Sequence, residues 1–371
     1  MIGRPSRRAY VGQWIFLLGV VAVGGFLVSM LGENLARRHM SFGFGFIEKS
    51  AGFDIPFHLL SWSTFDTYGR ALFVSLFNTL LVSAMSVVTA TVLGLLIGVM
   101  RLSVNWLVRN IALCFIEFVR NTPQLIQIVF WYFAVLQTLP SPRQSIVLPG
   151  GILLNIRGLY VPDAIMTEHG SLLAWIAVLL LIATPFAWRL RIAGRGVGAW
   201  ALALPVIALG LLVAGIDTID FPAMKGFNIA GGTQVPPELA ALWAGLSIYA
   251  AAFIAEIVRG SIEAIPKGQS EAARSLGLKS RHRLFLIVVP QALRIMVPQM
   301  TSQYLNIIKS STLGAVVAYP ELMQIFAGTV MNQSGKEVET IVIVMAIFLA
   351  ISLLTSAFMN WNNRHVALVE R

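Results

Sequence analysis

The fold class predicted by this sequence is an all-α polytopic membrane protein, and three observations predict it. Of the 371 residues, 57% are apolar and only 12% are charged, about half the charged share of soluble domains. The apolar surplus falls in blocks long enough to cross a bilayer, which takes ~20 residues as a helix. The charges gather between those blocks. A chain so poor in charge cannot clothe a soluble domain of its size, which excludes a soluble enzyme, a disordered chain and a disulfide scaffold. The single cysteine, Cys114, cannot form an intramolecular bridge. It lies in an apolar run, where a small buried hydrophobe is expected.

Apolar periodicity and polar breaks predict about eight transmembrane helices, at 11–31, 71–100, 110–139, 171–187, 198–216, 240–258, 291–310 and 341–359. Arg4, Arg7 and Arg8 precede the first, as in a secretory signal. Its core is too long for one, however, and Glu33-Asn34 and Arg37-Arg38 follow instead of a small-residue cleavage site, so an uncleaved helix is expected. The third block is too long and too polar for one plain helix. Thr122 offers an N-cap and Pro123 a first helical residue, which predicts a break there and a helix resuming over 123–139. The segments 32–70, 140–170 and 217–239 are rich in Gly, Pro and aromatics and are expected as loops. The run Ser41-Phe42-Gly43-Phe44-Gly45-Phe46 has no strand-glycine-helix context, and no nucleotide-binding P-loop occurs in the sequence.

Basic residues orient the helices, because cytoplasmic loops carry an excess of Lys and Arg. With the N-terminus inside, 17 of the 27 fall on inner segments and 9 on outer ones, and Arg120 is left at membrane depth. Both termini are therefore expected in the cytoplasm. This pattern accounts for the net charge of +10 without a nucleic-acid partner.

The least membrane-like long segment is the inner connection 259–290. Ser270 can cap a helix beginning at Glu271, and Gly277 can end it in the left-handed conformation. A second short helix is expected from about Ser280, with Pro290 opening the next span. Ala272 and Ala273 leave one face thin, and Glu271 and Arg274 share a face. Such a helix-turn-helix on a membrane domain reads as a docking knob; a plain amphipathic connector is the blander reading.

The run Glu271-Ala272-Ala273, three residues, Gly277, nine residues, then Ile287-Val288-Val289-Pro290 resembles the EAA loop of ABC-importer permeases, with Val289 in place of the usual Leu. Phe118-Val119-Arg120-Asn121-Thr122-Pro123-Gln124-Leu125-Ile126-Gln127 and Ala255-Glu256-Ile257-Val258-Arg259-Gly260 resemble the polar amino acid branch of that family. Asn121 departs from the glycine usual there. The resemblance covers about 72–361. The extra first helix, the Gly-Phe repeat and the insertion at about 140–238 are similar to the larger permeases of the general L-amino acid system.

The resemblance implies a type I ABC importer transmembrane domain over 71–361, an N-terminal helix and outer loop over 1–70, and a tail at 362–371. It implies an ATPase subunit that grips Glu271, Ala272, Ala273, Gly277 and Pro290. It also implies a second permease subunit, identical or homologous, and a periplasmic amino-acid-binding protein that delivers the substrate. ATP and Mg would belong to the ATPase, and this chain, surrounded by lipid in a bacterial inner membrane, would bind no cofactor or metal and catalyse no reaction.

Two groups of polar residues are candidates for the substrate path. Gln299, Gln303, Asn306 and Ser310 recur on one helical face, either lining a path or forming a hydrogen-bonded helix contact. Glu117 and Arg120 flank the proposed break, with Thr122, Gln124 and Gln127 beyond it. Ionisable residues at membrane depth point to function, and an acid, a base and a free helix end could hold both ends of an amino acid. A structural brace or an interfacial position are the other readings of that pair. Glu256 and Arg259 read as an interfacial brace. The outer segment Lys309–Leu322 resembles the family's outer gate, with a short helix before the last span. The alternative function, an ion-gradient-driven secondary transporter or channel, predicts inverted repeats and ionisable residues deep in several spans; neither is evident.

Overall fold

The apolar blocks fold as helices in the computed structural model, which describes residues 7–37, 43–192, 200–226 and 228–364. Arg4, part of the Gly-Phe run, Arg195 and the expected tail from 365 onward lie outside the described residues. The helices α1 (Arg7–Arg37), α2 (Tyr68–Arg101) and α3 (Trp106–Asn121) come first. After a break at 122–123, α4 (Gln124–Val129) continues through looser turns to Thr138. Next stand strands β1 (Ile146–Leu148), β2 (Ile152–Asn155), β3 (Gly158–Val161) and β4 (Asp163–Met166), then helices α5 (Gly170–Ile192) and α6 (Trp200–Ala214). Strands β5 (Ile216–Asp220), β6 (Ala223–Lys225), β7 (Asn228–Ala230) and β8 (Thr233–Val235) lead to α7 (Pro237–Glu263) and α8 (Lys267–Ser275). The chain closes with α9 (Ser280–Arg283), α10 (Val289–Ser310), α11 (Met331–Ser334) and α12 (Glu337–Arg364).

Among the described residues, Tyr68–Arg101, Pro237–Glu263, Ser280–Val317 and Glu337–Trp361 are long and apolar enough to cross a membrane. Gly12–Leu27, Gln124–Thr138, Gly170–Leu181 and Ala203–Ala214 are shorter apolar helices. These eight stretches fall where hydropathy places them, and Gly12–Leu27 and Gly170–Leu181 lie within longer helices, α1 and α5.

The centre is the pair α2 and α7, which run side by side in the same direction. Gly94 meets Ile254 and the Ala251 carbonyl; one turn on, Gly98 meets Val258 and the Ala255 carbonyl. Small residues at this spacing bring helix backbones close, the usual solution where lipid supplies no hydrophobic drive between helices. Trp243 adds a hydrogen bond from its indole to Thr89 at 3.1 Å. A second core joins Phe46, Ala51 and Ile55 of the segment before α2 to Tyr68, Val74, Phe326 and Val330. The expected boundary at residue 70 thus runs through shared packing.

The 140–238 insertion is more ordered than loops. Its strands form an antiparallel sheet in the order β1-β2-β3-β8, a β4–β5 ladder and a β6–β7 hairpin. Together β3–β8 and β4–β5 form a stalk whose far end carries α5 and α6, packed on each other. Alternation over three to five residues between glycines is too short a signal to separate such strands from loops.

Pro290 stands in the first turn of α10, as expected, although the chain is helical without a break from Ser280 to Val317, with a wider turn over Leu284–Val288. Three local expectations are corrected. Ser270 does not cap α8, which begins three residues earlier, after Pro266. Thr122 is not the N-cap of α4 but the C-cap of α3, and its hydroxyl donates back to the Phe118 carbonyl at 2.8 Å. Cys114 is exposed on the chain surface rather than buried, because it lies on the face of α3 away from buried Ala112, Ile116 and Val119.

Candidate functional site

Two places gather the candidate residues, and they lie at different depths along α7. The first is a small cavity of about 90 Å³ lined by Gln124, Tyr249, Phe253, Gln303, Asn306 and Ser310. Tyr249 stands near the middle of α7, about 20 Å from either end at 1.5 Å per residue. The break at 122–123 puts Gln124 in the first turn of a new helix, so its side chain reaches the cavity. From α10, Gln303, Asn306 and Ser310 enter at the one-face spacing the sequence shows. The cavity is therefore polar at mid-depth in a bundle whose outside is apolar, where side-chain amides and hydroxyls replace the hydrogen bonds water would give.

The remaining candidates sit around it. Arg120 lies over the Phe253 ring, 5.2 Å from its centre, and Phe253 also packs on Tyr249 with ring centres 4.9 Å apart. The guanidinium is thus one ring away from the cavity, held by the negative face of the aromatic. Glu117 does not brace Arg120; its carboxylate accepts from the Asn121 amide at 3.2 Å. Gln127 is buried, and its amide donates to the carbonyls of Val119 at 2.9 Å and Thr122 at 3.2 Å. It thereby satisfies the open end of α3 across the break. Gln299 is exposed, its amide donating to the Ile295 carbonyl of its own helix at 3.3 Å. Sequence reasoning missed Tyr249 and Phe253, although two aromatics four residues apart on α7 were the available signal.

The second place is the knob beyond the C-terminal end of α7. Helix α8 ends in a Schellman motif: the N–H of Leu278 bonds the Ala273 carbonyl at 3.1 Å and that of Gly277 bonds Arg274 at 2.9 Å. Gly277 has φ +74°, and a Cβ there would meet open space, so only backbone conformation demands glycine. Glu271, Ala272 and Arg274 are exposed, whereas Ala273 is buried within the knob. Only Ala272 of the two alanines is open to a partner. Leu276 at the tip is 80% exposed, an apolar contact the sequence reading did not single out. At the root, Arg259 bridges Glu256 and Glu263, which makes the brace expected at that end of α7. Pro290 lies in the helix leading away from the knob.

The segment after α10 holds a third, buried cluster. Asn78 on α2 donates to the Phe57 and Pro320 carbonyls, both at 2.9 Å, and Tyr319 donates its hydroxyl to the Asn78 carbonyl at 3.0 Å. Ala318 takes the left-handed conformation, φ +57°, turning the chain into the short helix over 322–334.

The family model for binding-protein-dependent transport system inner membrane components matches residues 188–368. The general L-amino acid transport system permease protein AapQ of Rhizobium johnstonii is 42% identical, covering 99% of this chain and 94% of the relative. The glutamate/glutamine/aspartate/asparagine transport system permease protein BztB of Rhodobacter capsulatus is 34% identical, covering 96% of this chain and 92% of the relative. A crystal structure of an amino acid ABC transporter with histidines shares the fold, with TM-score 0.51 and 19% identity over 80% of this chain and 95% of that one.

Proposed function

The chain belongs to the binding-protein-dependent inner-membrane permeases of ABC importers, in their amino-acid branch, and on that premise we propose that it carries L-amino acids of several kinds inward through the α7–α10 cavity, driven through the knob. It is a transport subunit with the type I importer fold, and ATP hydrolysis belongs to a separate ATPase subunit. A second permease completes the membrane pore, and a periplasmic binding protein delivers substrate. The transport core is 71–361, with the knob and both chain ends on the cytoplasmic side, where the basic loops lie.

One observation carries the coupling reading: α8 and its C-cap present Glu271, Ala272, Arg274 and Leu276 outward, while Ala273 is buried within the knob and the Schellman turn fixes the end of the helix. A rigid knob rooted at the end of α7 transmits a push along the helix that lines the cavity. For the path, the polar residues at mid-depth are the support, since amides and hydroxyls there would replace lost hydration of a zwitterion. The cavity recognises no side chain by charge, which suits a broad substrate range.

Gly277→Val tests the coupling. A β-branched residue at φ +74° strains the turn by ~1–2 kcal/mol or more, and Gly277→Asn, which tolerates that conformation, is the control. In reconstituted importer, Val should reduce transport-coupled ATP hydrolysis at least several-fold and Asn much less. Disulfide crosslinks from Ser270→Cys or Leu278→Cys should capture the ATPase. Equal transport by the two variants, with no crosslink in cells actively importing, would overturn the reading.

A further inference from the structure

At the end of α7 opposite the knob, the structure holds a much larger cavity that the transport reading above does not use. Its volume is about 600 Å³, within the range of small-molecule sites (~300–1,000 Å³). It lies where the β-insertion meets the bundle, and its lining includes Phe57, Gln137, Arg157, Gln234, Glu238 and Pro320.

Two of these carry opposite charge and are not paired with each other. Arg157, in the turn between β2 and β3, donates one N–H to Asn228 at 2.9 Å, and its backbone N–H is held by Asn155 at 2.8 Å. Gln234 fixes the same turn by donating to the Arg157 carbonyl at 2.7 Å. The guanidinium is thus aimed, with further N–H groups left for a planar anion. Glu238, in the first turn of α7, accepts the Tyr132 hydroxyl on one oxygen at 3.0 Å. Among the described residues its other oxygen has no hydrogen-bond partner and is left for a cation. Gln137 adds a side-chain amide at the wall.

We propose that this cavity is an entry site for free α-amino acids, in which Arg157 takes the carboxylate and Glu238 the ammonium. Both contacts read groups that all α-amino acids share. The volume is far more than the main chain of a ligand needs, so side chains of many sizes fit without selection. Because α7 is 27 residues long, the site lies about 20 Å from the mid-depth cavity, making it a first station on the path, separate from that cavity. The proposal rests on the amino-acid reading of the function.

The test uses the full importer, purified in detergent and freed of binding protein, with radiolabelled L-glutamine and L-leucine as probes. Wild type should retain both probes, and an excess of N-acetylglutamine or of glutamine amide should not displace them. Arg157→Gln and Glu238→Gln should each weaken retention about tenfold to a hundredfold, the loss of one charge-assisted contact. Arg157→Lys should keep part of it. Basal ATPase rate reports that each variant is assembled. Wild-type retention by both variants overturns the entry site while leaving amino-acid transport standing. Weaker docking of binding protein, with probe retention unchanged, assigns the cavity to a protein loop and also overturns it. Failure of the intact importer to take up any amino acid removes the functional reading and the site with it.

Discussion

A carboxyl group enclosed by protein must be neutral or well supplied with donors, and Glu321 is caught between the two. It is fully buried, and its oxygens accept the backbone N–H groups of Met323 at 2.8 Å and Gln324 at 2.7 Å. Those bonds favour the charged form, but burial outweighs them and pushes the group up to about 7 from an ordinary 4.5. A folded pKa above the unfolded one means that the native state binds the proton more tightly. The stability so gained is complete below about pH 4.5 and is lost as pH rises through 7, a swing of order 3 kcal/mol. The melting temperature of the purified chain should fall between pH 5.5 and 8.5, and Glu321→Gln should flatten that slope. A slope unchanged in the variant would contradict this account of the cluster around Asn78 and Tyr319. Nothing in the sequence marks Glu321 as buried: a charged residue after Tyr319-Pro320 reads as a loop residue until Asn78, 242 positions from Pro320, is seen to close over the segment.

Between helices, the α2–α7 seam gives the clearest link from residue size to architecture. A Cβ at Gly94 would stand 2.5 Å from the Ile254 Cγ2, and one at Gly98 would stand 2.7 Å from the Val258 Cβ. Neither neighbour can withdraw, because both are buried in the core between α2, α7 and α10. Gly94→Leu should therefore separate the helices and destabilise the chain by ~1–3 kcal/mol or more through overpacking. Lower thermal stability and lower yield of the assembled importer are the readouts, with the helix-compatible surface change Val88→Leu as control. The seam was half legible. Hydropathy placed both helices, but not which faces touch, since a glycine in an apolar run reads the same whether it meets lipid or a backbone. The break at 122–123 was legible because proline restricts its neighbours whatever the tertiary context. What bridges it was not: Gln127 looks like a path residue, and only the fold shows its amide turned to the end of α3. The stripe on α10 came through in part, with Gln303, Asn306 and Ser310 in the cavity and Gln299 one turn outside it. Periodicity fixes a face, not its depth.

For the whole molecule, the transport bundle and the insertion divide at a definite place. Strands β4 and β5 pair Asp163 with Asp220 and Ala164 with Ile219, so the chain leaves and returns at adjacent points. Beyond them α5 and α6 pack on each other, whereas α2, α7 and α10 form their own core. Replacing residues 164–219 by an Asn-Gly turn joins antiparallel neighbours with the two-residue connection that suits them. Asp220, which accepts the Gly232 N–H at 3.2 Å, and the β3–β8 pairing that carries Arg157 and Gln234 both stay. The shortened chain should still assemble with its ATPase, show basal hydrolysis close to wild type and retain L-glutamine, because the knob, the mid-depth cavity and the walls of the larger cavity all lie outside the excised segment. Reconstitution with and without the segment, scored by subunit recovery and hydrolysis rate, checks this. Loss of assembly would mean that the α5–α6 hairpin bears on the bundle or on the second permease in the working importer. Assembly with hydrolysis but without transport would place the hairpin's contribution in the membrane path itself.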